Sequence, residues 1–588
     1  MHGPGSYPLK KHIAESLRVG LFLLFLTLVG LAAYTPWLGL VGDDWWFFAH
    51  LSDGRFLAAQ LYENPARPMV AYLWIGLWQL FGLRLWAYYA LTFTVQWLTA
   101  LVVFIMFRNI LRWGVVDAAA AAAIFLLYPA DTAHVYLSTL STRVCMLLAV
   151  TGATLWLHAW KGASRSALLI SIAVILMTLS LLTYETPILL FAFLPLALVN
   201  IAWRGWRVWL RSVLTCYGVL AVYLTFRLWV AYTISRRPSS FYVSVNLTPG
   251  WLWSQLQEFP AAAIWKGWLY ALKAMLSFGP ITLFVMSLIA ADLLLLAITW
   301  LRRGTTDVPK GWRENLWLVG TGVVLSAAAV APVVTSSYSL ENVVGTLDGR
   351  LVHGAALGHA VLMTGLCALP ASVLPLSEQS RALCRTTFVI VLLVVALAGG
   401  LGVQREYAQV WRAQLDIVHA LQGQAVAFQD GTVIILLDVP AGALNIRFYY
   451  PFTELVRRYY ANPTLHVLPW QQGFPSDQQL LAFGQEYVVG VVEVVRKEVM
   501  TFDYRRMVAF KVRSGGALQE MQRIDSEYLC KGTCRGISFS LPPGWEPARG
   551  PIALSSVQSF SRPDAPPDTA WRQFLLSQLD FATKVKLP

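Results

Sequence analysis

Apolar runs long enough to cross a lipid bilayer recur through the first four hundred residues, and no other feature constrains the fold as tightly. They fall at 16–34, 86–107, 114–129, 143–160, 166–183, 187–203, 209–232, 279–301, 315–332, 351–377 and 386–404. A helix needs about 20 mainly apolar residues to span the hydrocarbon core. The shorter runs suffice where neighbouring helices cover them. Of the 588 residues 57% are hydrophobic and 13% charged, against roughly 45–50% and a quarter in soluble domains. A soluble globule cannot hide that much apolar surface. Disorder and a small disulfide scaffold are excluded on the same figures. The pattern predicts an all-α polytopic membrane protein of about eleven transmembrane helices plus interfacial helices, with a small C-terminal α/β soluble domain. No small-residue cleavage site follows the first run, so it is expected to remain as a signal anchor.

Charge fixes the expected orientation. The formal net charge is +13, but the basic residues sit mostly in short loops between apolar runs. That is the positive-inside pattern rather than a nucleic-acid surface. The stretch from Arg67 to Gly82 (RPMVAYLWIGLWQLFG) offers only about 14 apolar residues after its proline. Read as an interfacial helix that does not cross, it leaves Arg18, Arg108, Arg112, Lys161, Arg204, Arg302, Arg385 and their neighbours on one side. The N-terminus is then cytoplasmic in a multi-pass plasma-membrane protein, and the C-terminal part extracytoplasmic. Residues 1–404 form the membrane domain and 405–588 the soluble one. In the latter, Arg405–Gln422 and Phe452–Tyr460 read as helices, and Thr432–Val439 and Met507–Val512 as strands. Cys530 and Cys534 suit a small disulfide loop if that domain faces an oxidising space.

The outer face collects the residues that could carry chemistry. Asp43 and Asp44, in Gly-Asp-Asp-Trp-Trp just past the first span, are two crowded carboxylates at a membrane surface. One can act as a general base while its neighbour orients substrate or holds a cation; the alternative is that they cap the next helix. Glu63, Arg67 and Pro68 open an aromatic helix with Trp74 and Trp78 that suits the floor of a cavity, or an aromatic belt. Asp131 and His134 share a helical spacing before Arg143, either as substrate contacts or as ordinary loop polar groups. Two ligands are too few to name a metal. Glu185, in Tyr-Glu-Thr-Pro between two spans, is a carboxylate near membrane depth, which points to function. Arg227, Arg236, Arg237, Arg350 and His353, with Tyr338 close by, are candidates to hold an anionic phosphate, arginine because its planar fork donates two charge-assisted bonds; the alternatives are a lipid-surface contact for Arg236-Arg237 and a snorkelling helix-start residue for Arg350. No P-loop, G-x-G-x-x-G, G-x-S-x-G or H-E-x-x-H motif is present, which argues against an ATP-driven pump, a Rossmann enzyme and a zinc protease.

Taken together, Asp43-Asp44, the Arg67-Pro68 helix start with Met69–Gly82, the span 86–107 and the basic turn with Arg108 and Arg112 resemble the membrane glycosyltransferases of the GT-C class. The likeness is to the bacterial branch related to dolichyl-phosphate-mannose protein mannosyltransferases and aminoarabinose lipid A transferases. It covers roughly residues 10–350. It implies a polyprenyl-phosphate-linked sugar as donor, a glycan, lipid or protein acceptor on the extracytoplasmic side, and a first-loop aspartate, Asp43 or Asp44, as base. The family pair is usually Asp-Glu; here it is Asp-Asp. The resemblance puts phosphate-binding cations near Arg236, Arg237 or Arg350, and leaves room for a divalent cation, Mg or Mn. The rival reading is a secondary transporter or flippase of lipid-linked saccharides, which predicts mid-membrane charges and an inverted repeat.

Overall fold

The computed structural model describes residues 7–162, 166–201, 205–234, 248–280, 282–283, 285–289, 292, 311–334, 339–341, 343–345, 347–375, 377–425, 427–439, 450–470, 481–483, 487–493, 498–503, 507–513, 517–521, 523–524 and 539–540. Its principal helices are α1 (Tyr7–Gly30), α2 (Asp43–Ser52), α3 (Phe56–Glu63), α4 (Pro68–Phe81), α5 (Leu85–Ile105), α6 (Val115–Leu126), α7 (Leu140–Trp160), α8 (Ser166–Thr183), α9 (Ile188–Ile201), α10 (Trp206–Ile234), α11 (Pro249–Pro260), α12 (Lys266–Leu276), α13 (Trp312–Val334), α14 (Ala356–Val373), α15 (Glu378–Gln424) and α16 (Tyr450–Tyr460). Two compact units result: Met1–Thr35 with Gln60–Leu77 and Arg84–Arg405, and Pro36–Ala59 with Trp78–Leu83 and Glu406–Pro588.

The first unit is a helical membrane body. Among the described residues, eight helices are long and apolar enough to cross a bilayer, the runs in α1, α5, α7, α8, α10, α13, α14 and α15. The expected runs at 114–129 and 187–203 are the shorter helices α6 and α9, and that at 279–301 lies mostly outside the described residues. On α1, Val19, Leu23 and Leu26 are buried while Leu17, Leu21, Phe25 and Leu28 are exposed. Both faces are therefore apolar, one packed on protein and one suited only to lipid. Helix α6 is buried all round; its run Ala118–Ala123 makes it thin enough to be enclosed by α5 and α14. Helices α13 and α14 touch backbone to backbone. A Cβ on Gly322 would meet the Leu362 nitrogen at 2.4 Å, and one on Gly358 the Ser326 nitrogen at 2.3 Å. Small residues at such a crossing are what lets membrane helices gain close packing. The span expected at 386–404 and the helix expected at 405–422 form one continuous helix, α15, of 47 residues; no proline interrupts it.

The second unit holds an open sheet of strands β1 (Val433–Leu437), β2 (His466–Trp470), β6 (Met507–Val512) and β7 (Leu518–Met521) in the order β2-β1-β6-β7. Strand β1 pairs in parallel with β2 and β6, and β7 runs antiparallel to β6. All five β1 residues are buried, as expected of a central parallel strand covered on both faces, and the reason its sequence shows no alternation. Pro469 lacks an N–H to donate and sits in β2, an edge strand where that loss is tolerated. The crossover from β1 to β2 is α16, fixed by Thr453, whose hydroxyl donates to Val467 O at 2.8 Å and accepts from Val467 N at 3.0 Å. Strands β3 (Leu481–Phe483), β4 (Tyr487–Glu493) and β5 (Glu498–Asp503) form a separate antiparallel meander.

Candidate functional site

Stretches distant in sequence meet within the first unit. The turn after α6 carries Asp131, and α7 starts with Arg143 three residues in. The guanidinium of Arg143 grips the Asp131 carboxylate with both arms, Nη2 to Oδ1 at 2.7 Å and Nη1 to Oδ2. His353 Nδ1 lies 2.9 Å from the same Oδ2 and against Arg143 Nη1. The Arg143 side chain is 0% exposed and that of Asp131 6%. Burial pushes the Asp131 carboxyl up, but Arg143 and His353 push harder the other way and hold it well below the usual carboxylate range. His134 bonds through Nδ1 to Asp131 O at 2.9 Å; burial keeps its imidazole below its ordinary value and so neutral. The turn preceding His353 packs on the same place. Gly345 N donates to Thr132 Oγ1 at 2.9 Å, and a Cβ on Gly349 would stand 2.7 Å from that oxygen. Arg350, half-buried, follows in the same turn.

A second knot adjoins the first. Pro68 opens α4 at a position where a missing N–H costs nothing, and this leaves Arg67 at the helix entrance. Arg67 donates from Nε to Glu185 Oε2 at 3.0 Å and from Nη2 to Oε1 at 2.6 Å, while its guanidinium lies 4.1 Å over the Tyr184 ring. Arg227 Nη2 approaches the same Oε1 at 3.7 Å. Burial raises the Glu185 carboxyl, yet Arg67 first and Arg227 second bring it down to about 2. Two guanidinium groups thus face the Glu185 carboxylate. One helical turn before Arg227, Tyr223 presents a buried hydroxyl with no hydrogen-bond partner among the described residues. The knots are joined at Gly354, where a Cβ would lie 2.1 Å from Thr186 Cγ2; only glycine lets the His353 turn reach the Glu185 turn. Trp74 of α4 reaches across to donate from Nε1 to Ser141 Oγ at 2.9 Å.

Asp43 and Asp44 belong to the second unit, in the first turn of α2. Gly42 precedes them with φ +59°, a conformation that favours glycine. Asp44 is fully buried and folds back to accept from Val41 N at 3.4 Å, and both carboxylates sit at the positive dipole end of α2. Asp43 is half-buried. Arg236, Arg237, Tyr338, Cys530 and Cys534, and the side chain of Glu63, lie outside the described residues. Among the described residues no three His, Cys, Asp or Glu side chains gather closely enough to hold a metal ion; at Asp131 the place beside the carboxylate is taken by Arg143.

No family model and no curated protein matches the chain. One solved structure does. The crystal structure of ArnT from Cupriavidus metallidurans in the apo state is 16% identical, covers 78% of this chain and 86% of its own, and superposes with a TM-score of 0.32. The sequence alone missed two things. It treated Arg67 and Glu185 as separate features, although they pair across 118 positions. It passed over Arg458, which holds α2 from 405 positions away; the only local signal was its place on a strongly two-faced helix.

Proposed function

We propose that the chain is a membrane glycosyltransferase of the GT-C kind that moves a sugar from a polyprenyl-phosphate donor to an acceptor on the extracytoplasmic side. The observation that carries this reading is the Arg67–Glu185–Arg227 knot. Paired guanidinium groups suit an anionic phosphate, because each planar fork donates two charge-assisted bonds, and the Tyr223 hydroxyl, without a hydrogen-bond partner among the described residues, is a ready donor to phosphate oxygen. Arg67 and Arg227 stabilise the phosphate as the anomeric C–O bond breaks and its electron pair leaves with the phosphate. Arg350, Arg236 and Arg237 are further cations for the donor, and Tyr338 a further polar contact. The acceptor oxygen attacks the anomeric carbon from the opposite face and inverts it. Asp43, the less buried of the pair, takes the acceptor proton, and Asp44 holds the turn. Asp131 and His134 act by fixing Arg143 and the His353–Gly354 turn beside Glu185.

The test is transfer from a panel of undecaprenyl phosphates carrying radiolabelled mannose, glucose or aminoarabinose. Release of free undecaprenyl phosphate marks reaction. Asp43→Asn should lower it by about 10²–10⁴-fold, and Arg227→Ala should weaken donor binding. Full activity in a double Asp43→Asn, Asp44→Asn variant rules out the base. Passage of intact labelled lipid across a vesicle bilayer with no release makes the protein a flippase instead.

A further inference from the structure

The C-terminal domain does more than follow the membrane body. Helix α2 has ten residues, too few to hold itself in water without tertiary support, and its first turn carries Asp43 and Asp44. Its last turn is held by Arg458 of α16. The Nη2 of Arg458 donates to Ala49 O at 3.3 Å, to Asp53 Oδ1 at 2.7 Å and to Ser52 Oγ. That is a cation set at the negative dipole end of a helix, on the Ala49 carbonyl that the Asp53 N–H and the Ser52 hydroxyl also reach. Arg458 is itself held rigidly. Leu455, Val456 and Tyr459 are buried, and Arg457 donates to Leu465 O at 2.5 Å and Glu454 Oε1 at 2.9 Å. The other side of α2 seats on α15 at Trp411: a Cβ on Gly39 would lie 2.1 Å from that indole, and Trp45 stands 6.1 Å from it. Helix α2 is therefore set at its C-terminal end by one arginine of the α/β domain.

We propose that Arg458 is a positioning residue for the Asp43–Asp44 turn, so that the α/β domain is part of the transferase machinery; this rests on the base reading given above. The experiment uses the full chain in lipid nanodiscs with Arg458→Ala, Arg458→Lys and the swap Arg458→Asp with Asp53→Arg. Amide hydrogen exchange is read over 43–53, with α7 and α14 as internal references, beside transfer from the undecaprenyl-phosphate sugar that wild type uses. Arg458→Ala should exchange at least tenfold faster in 43–53 only. It should lower kcat about tenfold with the donor KM unchanged, and Arg458→Lys and the swap should each recover part of both. Unchanged exchange in 43–53 overturns the clamp whatever the activity. Faster exchange with undiminished kcat, in a protein that Asp43→Asn inactivates, overturns the positioning role. If wild type transfers none of the sugars, the base reading falls and the positioning role with it, while exchange alone judges the clamp. Should Arg458→Ala fail to fold, Asp53→Asn at its half-exposed position carries the same measurements.

Discussion

At the scale of single residues the molecule concentrates its charge into two knots whose members depend on one another. Asp131→Asn leaves the buried Arg143 guanidinium without its counter-charge, which typically costs about 3–5 kcal/mol. Adding Arg143→Gln removes the stranded cation, so the double variant should be less unstable than the sum of the singles. Thermal unfolding in detergent, followed by tryptophan fluorescence, measures both, and strict additivity would refute the coupling. Glu185 makes a pH prediction. Its folded carboxyl titrates near 2 against an ordinary 4.5. Such a lowered group stabilises the fold fully above the unfolded value and loses that contribution as pH falls from about 4.5 toward 2. Glu185→Gln should lower the melting temperature at pH 7 and flatten its acid decline over that window. Equal slopes in wild type and variant would sink the assignment. The sequence made Asp131, His134 and Arg143 legible because they are near neighbours. It could not pair Arg143 with His353, 210 positions on, because no local period records a contact closed by tertiary folding.

At the scale of elements, hydropathy is a strong guide where one solvent dominates and a weak one where pairing is remote. The bilayer imposes a length on each helix, so the apolar runs mark α1, α5, α7, α8, α10, α13 and α14 almost directly. Strand β6 falls at Met507–Val512 as its composition suggests, and β1 within Thr432–Val439. What could not be read was the parallel pairing of β1 with β2 and β6, because β6 lies beyond a meander and β2 contains a proline. The α13–α14 crossing was hidden for another reason: glycine lowers apparent hydropathy but permits backbone-to-backbone contact between the two helices. Gly358→Leu must force the Ser326 backbone away, and overpacking of this kind costs about 1–3 kcal/mol. The expected result is a lower melting temperature and cleavage by added protease between α13 and α14, whereas Gly218→Leu, with open space around its Cα, should leave both unchanged. A Gly358→Leu protein as stable as wild type would show that the helices are not pressed together there.

At the scale of the whole membrane body, contacts at helix ends set the directions in which neighbouring helices run. Glu15 near the start of α1 pairs with Arg108 past the end of α5, and Lys161 past the end of α7 donates to Asn109 O. Trp74 links the starts of α5 and α7, stacking 5.7 Å from Tyr88 and bonding Ser141. Helices α5 and α7 therefore run the same way, and α6, though short, has to return between them. Its start, at Asp117, pairs with Arg385 near the beginning of α15, and the turn after it holds Asp131 against Arg143. Helix α9 returns likewise, with Phe191 O beside Cys216 and Pro195 O beside Trp209 of α10. Tyr128 donates to Ala263 O, and α13 finishes beside the His353 turn. Among the described residues eight helices are long and apolar enough to cross; with α6, α9 and the apolar run that the sequence offers at 279–301 the expected count is eleven, an odd number, which predicts that the two ends of the membrane body lie on opposite sides. Positive charge near Arg108, Arg112 and Lys161 predicts that this face is the cytoplasmic one. A fluorescent protein fused at the N-terminus and alkaline phosphatase fused after β7 should therefore both be active in bacterial cells. The reverse fusions should both be silent. Alkaline phosphatase without activity after β7 would mean an even count, would place the α/β domain in the cytoplasm, and would separate Asp43 from any acceptor outside.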